Sequence, residues 1–419
     1  MKRTTTILAA MIVAIIPMKA QLFAPDGFRG PLRDGHFPET GLLKQWPEVG
    51  PQKVWVCLEV GKGYSSATVV GDRVYTTGLT EDEKQEAFVA LELGTGKLLY
   101  KIPYGNPWKD SYPESRTTPT IHNGKAFVIS GAGDVVCLDC ADGHIVWKVD
   151  GTATYKSTTG NWGTAECPLV YDGKVIYTPG GDITTIVALD ENTGKEVWRS
   201  PSLKDKRAYV TPIMIEWKGK RQIVCSTIKN VFGADPNTGE IMWTFNGWGG
   251  TGRWDNIPPN SCLFKDGKLF FSQGYDIGGY MLQLADDLRS VTQVWKTDEL
   301  DTHHGGYVLV DGVIYGSNWK NNTSGNWCAI DWNTGKTLYS EAWEGGKGKG
   351  SIVYADGLLY CYDERRGTIG IVVPDGKTFK TVSEVRVDKG SGPFWPHLTI
   401  RDGIMYARHG EALIAYKIK

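Results

Sequence analysis

The chain has 419 residues, with 46 Lys and Arg against 47 Asp and Glu, for a formal charge of -1. There is no basic run or net positive field to suit a nucleic acid, and no acidic tail. Gly (52), Trp (16) and Tyr (19) are all frequent, which points to short strands and tight turns rather than helices.

Residues 1–20 read as a secretory signal peptide. Lys2 and Arg3 precede an apolar run from Ile7 to Ile16, and cleavage is expected near Ala20. That run is too short to span a bilayer, and no later run is long enough. The expected location is therefore exported, periplasmic or secreted. Residues 21–44 form an N-terminal arm, and residues 45–419 form the folded body.

The body repeats. Two-residue turns recur at Gly71-Asp72, Asn123-Gly124, Asp172-Gly173, Lys218-Gly219, Asp266-Gly267, Asp311-Gly312, Asp356-Gly357 and Asp402-Gly403, 45 to 52 residues apart. Asn, Asp and Gly tolerate the positive φ that a two-residue hairpin requires. Apolar runs flank each turn, as in Leu263-Phe264 and Leu269-Phe270-Phe271. A second hairpin follows, with turns such as Gly94-Thr95-Gly96-Lys97, Asn192-Thr193-Gly194-Lys195, Asn237-Thr238-Gly239-Glu240 and Asn333-Thr334-Gly335-Lys336. Four strands per repeat make one propeller blade, and eight turns make eight blades. The last repeat ends after its third strand. The run Lys53 to Cys57 is expected to supply the fourth and close the ring, removing a sheet edge. The fold class is all-β: an eight-bladed β-propeller with four antiparallel strands per blade.

The segment Ala188-Leu189-Asp190-Glu191-Asn192-Thr193-Gly194-Lys195-Glu196-Val197-Trp198 resembles the tryptophan-docking motif of pyrroloquinoline-quinone (PQQ)-like propellers. Trp147, Trp198, Trp243 and Trp295 share one column, with Tyr100 and Tyr339 in two other blades. The opening Phe28-Arg29-Gly30-Pro31-Leu32-Arg33-Asp34-Gly35 resembles the N-terminal segment of secreted members of that family. The resemblance implies fold more than function, because such propellers include dehydrogenases and non-enzymatic scaffolds.

Strand connectivity separates two faces. The Asp-Gly and Thr-Gly turns lie on one, and the longer, individual loops lie on the other, where binding residues concentrate. The candidate ligand-binding residues on this open-loop face are Arg116, Asn161, Trp162, Lys229, Arg253, Trp254, Asn256, His303, His304, Trp319, Lys349, Arg365, Trp395, His397 and His409. Such a set can stack on a sugar or planar ring and bond its polar edge. No metal is assigned. His303 and His304 are adjacent, so on an extended chain their rings should diverge, and no spaced histidine clamp occurs. Glu166, Asp182 and Asn161 are oxygen ligands that could hold Ca²⁺, and Asp255 and Glu364 are candidate general bases that nothing in the sequence ranks above structural carboxylates. No nucleophile motif is present. Five of the eight cysteines (Cys57, Cys137, Cys225, Cys262 and Cys361) sit where a strand wants a small apolar side chain.

The favoured reading is a non-catalytic binding or assembly module, with an envelope protein, a small molecule or a glycan as partner. The alternatives are a dehydrogenase oxidising an alcohol or sugar with PQQ and Ca²⁺, as the resemblance allows, and a carbohydrate-binding or carbohydrate-modifying propeller. The dehydrogenase members are longer and often carry adjacent cysteines, whereas no Cys-Cys occurs here.

Overall fold

The computed structural model describes residues 26–247 and 257–419. Eight four-stranded antiparallel sheets follow one another in chain order: 68–105, 120–150, 169–199, 213–245, 263–297, 307–341, 350–386 and 399–417. The last sheet takes its outer strand from Gln52–Cys57, which pairs antiparallel with Ala412–Lys417. These sheets are blades 1 to 8 of a closed propeller. Among the described residues the only α-helix is the single turn Gly151–Tyr155, and no helix is long and apolar enough to cross a membrane.

The turn chemistry follows the sequence. In seven of the eight Asp-Gly-type turns both central residues have positive φ, as at Asp172 (49°) and Gly173 (71°). Between Gly71 and Asp72, only the glycine does.

Eight apolar clusters hold the ring, each shared by two neighbouring blades. The tryptophan column works across these seams. Trp147 Nε1 donates to Glu191 O at 3.0 Å, Trp198 Nε1 to Pro236 O at 3.2 Å and Trp295 Nε1 to Trp332 O at 3.3 Å. Each acceptor opens the Thr-Gly turn of the next blade. The glycine of that turn lies under the indole: a Cβ on Gly194, Gly239 or Gly335 would sit 2.4–2.8 Å from ring carbons. Trp55 does the same for the closing blade, donating to Leu93 O at 2.8 Å above Gly96. Trp243 instead bonds Gln222 Oε1.

A bulge prepares each docking. In all eight blades the outer strand skips one residue against its partner just before the column position. The skipped residues include Val54, Leu99, Val146, Val197, Val294, Leu338 and Val382, all exposed apolar side chains. The extra residue bends the strand and turns the following ring inward. All eight cysteines are buried free thiols.

The arm is part of the fold. Asp26 forms an antiparallel bridge with Ile121 in blade 2. His36–Phe37 pairs in parallel with Tyr354 and Ala355 on the innermost strand of blade 7. The segment between them crosses the central channel. Residues 38–46 then run along the tight-turn face, where Leu42 and Trp46 are buried between blades 7 and 8.

Candidate functional site

The innermost strand of each blade is an edge facing the channel axis, so its outward N–H and C=O groups need partners. A belt of hydroxyls supplies some of them between blades. Thr68 Oγ1 donates to Pro119 O at 2.8 Å, Thr120 Oγ1 to Pro168 O at 2.8 Å, Ser351 Oγ to Pro396 O at 3.1 Å and Thr399 Oγ1 to Ala67 O at 2.7 Å. Two arginines of the arm supply more. Arg29 donates to Ile352 O (3.1 Å) and Tyr307 O (2.6 Å) and meets His397 Nδ1 at 2.9 Å. Arg33 donates to Cys167 O (3.1 Å), Pro212 O (3.1 Å), Pro168 O (2.5 Å) and Thr120 Oγ1 (3.2 Å). The cavity left between the two arginines, Asn260, His304 and His397 measures about 20 Å³, room for a water molecule or so.

Above this plug, the open-loop mouth carries a chain of rings. Trp319 packs on Tyr275 (centroids 4.8 Å), and Tyr275 on His303 (5.0 Å). His303 meets His304 (4.4 Å), His304 meets Trp395 (5.2 Å), and Trp395 meets Tyr64 and Tyr112 (4.8 Å each). Trp162 lies against Tyr209 at 6.1 Å. Arg116 ties the two groups together by donating to Trp162 O and Tyr112 O. Below the rings, Lys349 pairs with Glu364, and the other Glu364 oxygen lies 3.2 Å from His304 Nε2.

Burial sets the charge states here. It pulls His303 down to about 3, helped by Lys349, and His397 down to about 3, helped by Arg29. His304 is pushed well below its ordinary value by burial, His303, Lys349 and His397. All three imidazoles are neutral at pH 7. Burial also draws Lys349 down to about 8, against the pull of Asp363.

The structure thus brings together Arg116, Trp162, His303, His304, Trp319, Lys349 and Trp395. It places the other candidates elsewhere. His397 lies deep in the channel wall between Arg29 and His304 O. His409 is buried in blade 8, stacked on Phe394 at 3.7 Å, with both ring nitrogens facing carbonyls. Asn161, Lys229 and Arg365 are exposed; Arg365 reaches Gly346 O, and the Lys229 main-chain N–H donates to Asp205. Arg253, Trp254 and Asn256, with Asp255, lie outside the described residues, as does the segment read as a signal peptide.

Three expectations change. The rings of His303 and His304 do not diverge, because the chain leaves the extended form there and turns into Gly305 and Gly306 (φ +70°). Glu166 is not free for Ca²⁺: its oxygens take the N–H and hydroxyl of Thr178 and the Arg207 guanidinium at 3.3 Å. Glu364 is engaged by Lys349, which leaves it poorly placed as a base. Sequence reasoning gave no role to Arg29 and Arg33, and left Tyr64 and Tyr112 out of the mouth. The two tyrosines could have been found by their place in the loops that lead into blades 1 and 2.

Chemically, the mouth offers ring faces, neutral imidazoles and one ion pair. That suits binding by stacking and hydrogen bonding. Among the described residues nothing is arranged as a nucleophile with a base. PQQ does not fit the channel with the arm in place. A tricyclic quinone needs a slot on the scale of a ligand pocket, about 300 Å³ or more, and the buried carboxylates Glu86, Glu166, Asp301 and Glu364 all have partners already.

A family model described as "Outer membrane protein assembly factor BamB" matches residues 84–338. Quinohemoprotein alcohol dehydrogenase ADH-IIG of Pseudomonas putida is 25% identical over 236 residues, 51% of this chain and 31% of that protein. The assembly factor BamB of Kangiella koreensis is 25% identical over 146 residues, 33% of this chain and 32% of that protein. The chain spans about a third of the length of these curated relatives. Among solved structures, BamB from Moraxella catarrhalis superposes with a TM-score of 0.62 at 16% identity, over 88% of this chain and 99% of that one. Quinohemoprotein alcohol dehydrogenase from Comamonas testosteroni gives 0.66 at 12% identity, over 92% and 79%. At these identities the structural likeness is one of fold.

Proposed function

The chain belongs to the family described as outer membrane protein assembly factor BamB, and from that membership we propose that it works outside the cytoplasm as a binding or assembly module that engages its partner through the open-loop face. The reading is carried by the half-exposed row Tyr64, Tyr112, Tyr275, Trp319 and Trp395, joined to Arg116 over a channel already filled from below. Trp, Tyr and Arg are the residue types that anchor protein interfaces. Matches to BamB proteins support an envelope protein as the partner class, and the leader read in residues 1–20 supports export. The dehydrogenase reading is weaker, because among the described residues the cavity beside the arm's two arginines measures only about 20 Å³.

The test is site-specific photo-crosslinking of the mature chain in its native envelope fraction. The probe is placed at Tyr112 or Trp319 on the open-loop face, and at Gly219 on the tight-turn face. A discrete protein adduct from the first two positions only is expected. Adducts from Gly219 alone would place the interface on the wrong side. If no position gives a protein adduct and the chain retains a defined oligosaccharide on a glycan array, the partner is a glycan.

A further inference from the structure

We propose that the central channel is a receptor for an arginine-bearing peptide folded into tight turns, and that the chain's own segment 26–37 is its resident ligand. The wall is built for such a guest. Inner-strand edges from eight blades turn main-chain carbonyls toward one axis, and the hydroxyl belt satisfies only part of them. Five wall carbonyls, from blades 6 and 7 and the residues leading into blades 3 and 4, accept from Arg29 and Arg33, and only Pro168 O is shared with the belt. A guanidinium offers five N–H groups in a fixed fork, whereas an ammonium offers three on a point. A ring of carbonyl dipoles therefore selects arginine over lysine.

Charge supports the same reading. Among the described residues, neither arginine has a carboxylate within ion-pair distance, and both are buried. Burial pulls each down to about 10, so each is still a cation at neutral pH. Asp34 and Glu166 act on them from beyond ion-pair distance, and the direct contacts are to carbonyls.

The segment is also separable from the propeller. Apart from the two-residue strand His36–Phe37 at the inner edge of blade 7 it belongs to no blade, and the ring closes without it, through Gln52–Cys57. Its backbone touches the wall at only two places, the Asp26–Ile121 bridge and the His36–Phe37 pairing. Between these two anchors the chain folds into turns, Gly30 N–H donating to Gly27 O, Arg33 N–H to Gly30 O and Gly35 N–H to Arg29 O, and the two arginine side chains reach the wall. The backbone also restricts the guest. Arg29 and Arg33 have φ of +62° and +60°, and Gly30 and Gly35 have +83° and +86°. A Cβ on Gly30 would lie 2.6 Å from His36 O, and one on Gly35 2.4 Å from Arg29 and 2.8 Å from Val308. The ligand class is thus an Arg-Gly segment with a second arginine four residues on.

The test keeps the full chain. A protease site is introduced at Pro47–Val49, where Val49 is 93% exposed, and the folded protein is cut there. Synthetic peptides of residues 26–46 are then added, one native and one carrying Arg29→Lys and Arg33→Lys. The cut arm is expected to stay bound through gel filtration and to be displaced by the native peptide. The lysine peptide should compete at least about tenfold less well. In a cut chain carrying Arg29→Ala and Arg33→Ala, the arm should be lost. Equal competition by the lysine peptide, immediate loss of the native arm, or an arm that no peptide displaces would each overturn the proposal. If the double-alanine chain fails to fold, competition on the native cut protein decides alone.

Discussion

A single methyl group should expose how the blades are tied. Gly239 and Gly219 have nearly the same backbone, with φ of +76° and +74°. Alanine at either position carries the left-handed penalty of about 1–2 kcal/mol. Their surroundings differ. A Cβ on Gly219 would meet nothing within 4 Å, whereas one on Gly239 would lie 2.4 Å from Cε3 and 2.8 Å from Cζ3 of Trp198. Trp198 is buried and bonded to Pro236 O, so it cannot simply swing aside. Overpacking of this kind adds about 1–3 kcal/mol. Gly239→Ala should therefore cost about 2–5 kcal/mol and Gly219→Ala about 1–2 kcal/mol. Urea unfolding, followed by fluorescence with the m-value compared between variants, measures both. In a Trp198→Leu background the Gly239→Ala cost should fall to that of Gly219→Ala, because the two sites share one contact. Equal costs in the native background would refute interblade docking as the reason for the Trp and Gly columns.

Three further outcomes are expected. Burial pushes Glu86 up to about 7, against hydrogen bonds from Tyr104, Gly131 and Ser115. The folded state therefore holds its proton more tightly than the unfolded chain, and the stability this gives is present below pH 4.5 and lost as pH rises through 7. Glu86→Gln should remove that fall, on the order of 3 kcal/mol, when urea midpoints are compared across pH. His397 behaves oppositely: its folded value near 3 means the native state resists protonation. Relative to His397→Gln, wild type should lose about 1.4 kcal/mol per pH unit below 6.5. Finally, a melt with saturating PQQ and Ca²⁺ should be flat, whereas a specific ligand at about a hundred times its dissociation constant would add about 2.7 kcal/mol.

The propeller was legible because its signals are local. A glycine-containing two-residue turn between apolar runs marks a hairpin by itself, and eight of them spaced 45 to 52 residues apart, five of them Asp-Gly, mark the ring. Trp55 was harder to see as a member of the tryptophan column, since it stands before the first repeat and joins its blade only when the ends meet. The skipped valines look like ordinary strand residues in sequence, and only pairing reveals the bulge. The mouth was legible as a list of loop residues but not as a chain of rings. His409 and Arg116 look alike as polar loop positions, yet one is packed inside blade 8 and the other spans the mouth. Arg29 and Arg33 stood in a stretch that resembles the N-terminal segment of secreted family members, but nothing local showed whether the arm packs, because the wall carbonyls they reach lie 134 to 323 residues away in the chain.

The central claim, that this propeller binds through its open-loop face, is tested most directly by hydrogen exchange on the mature protein with and without its envelope extract partner. The account predicts added protection in the loops carrying Tyr64, Tyr112, Trp319 and Trp395, with the tight turns at 172–173, 218–219 and 311–312 unchanged. Protection confined to those turns, with the aromatic loops exchanging as before, would contradict it.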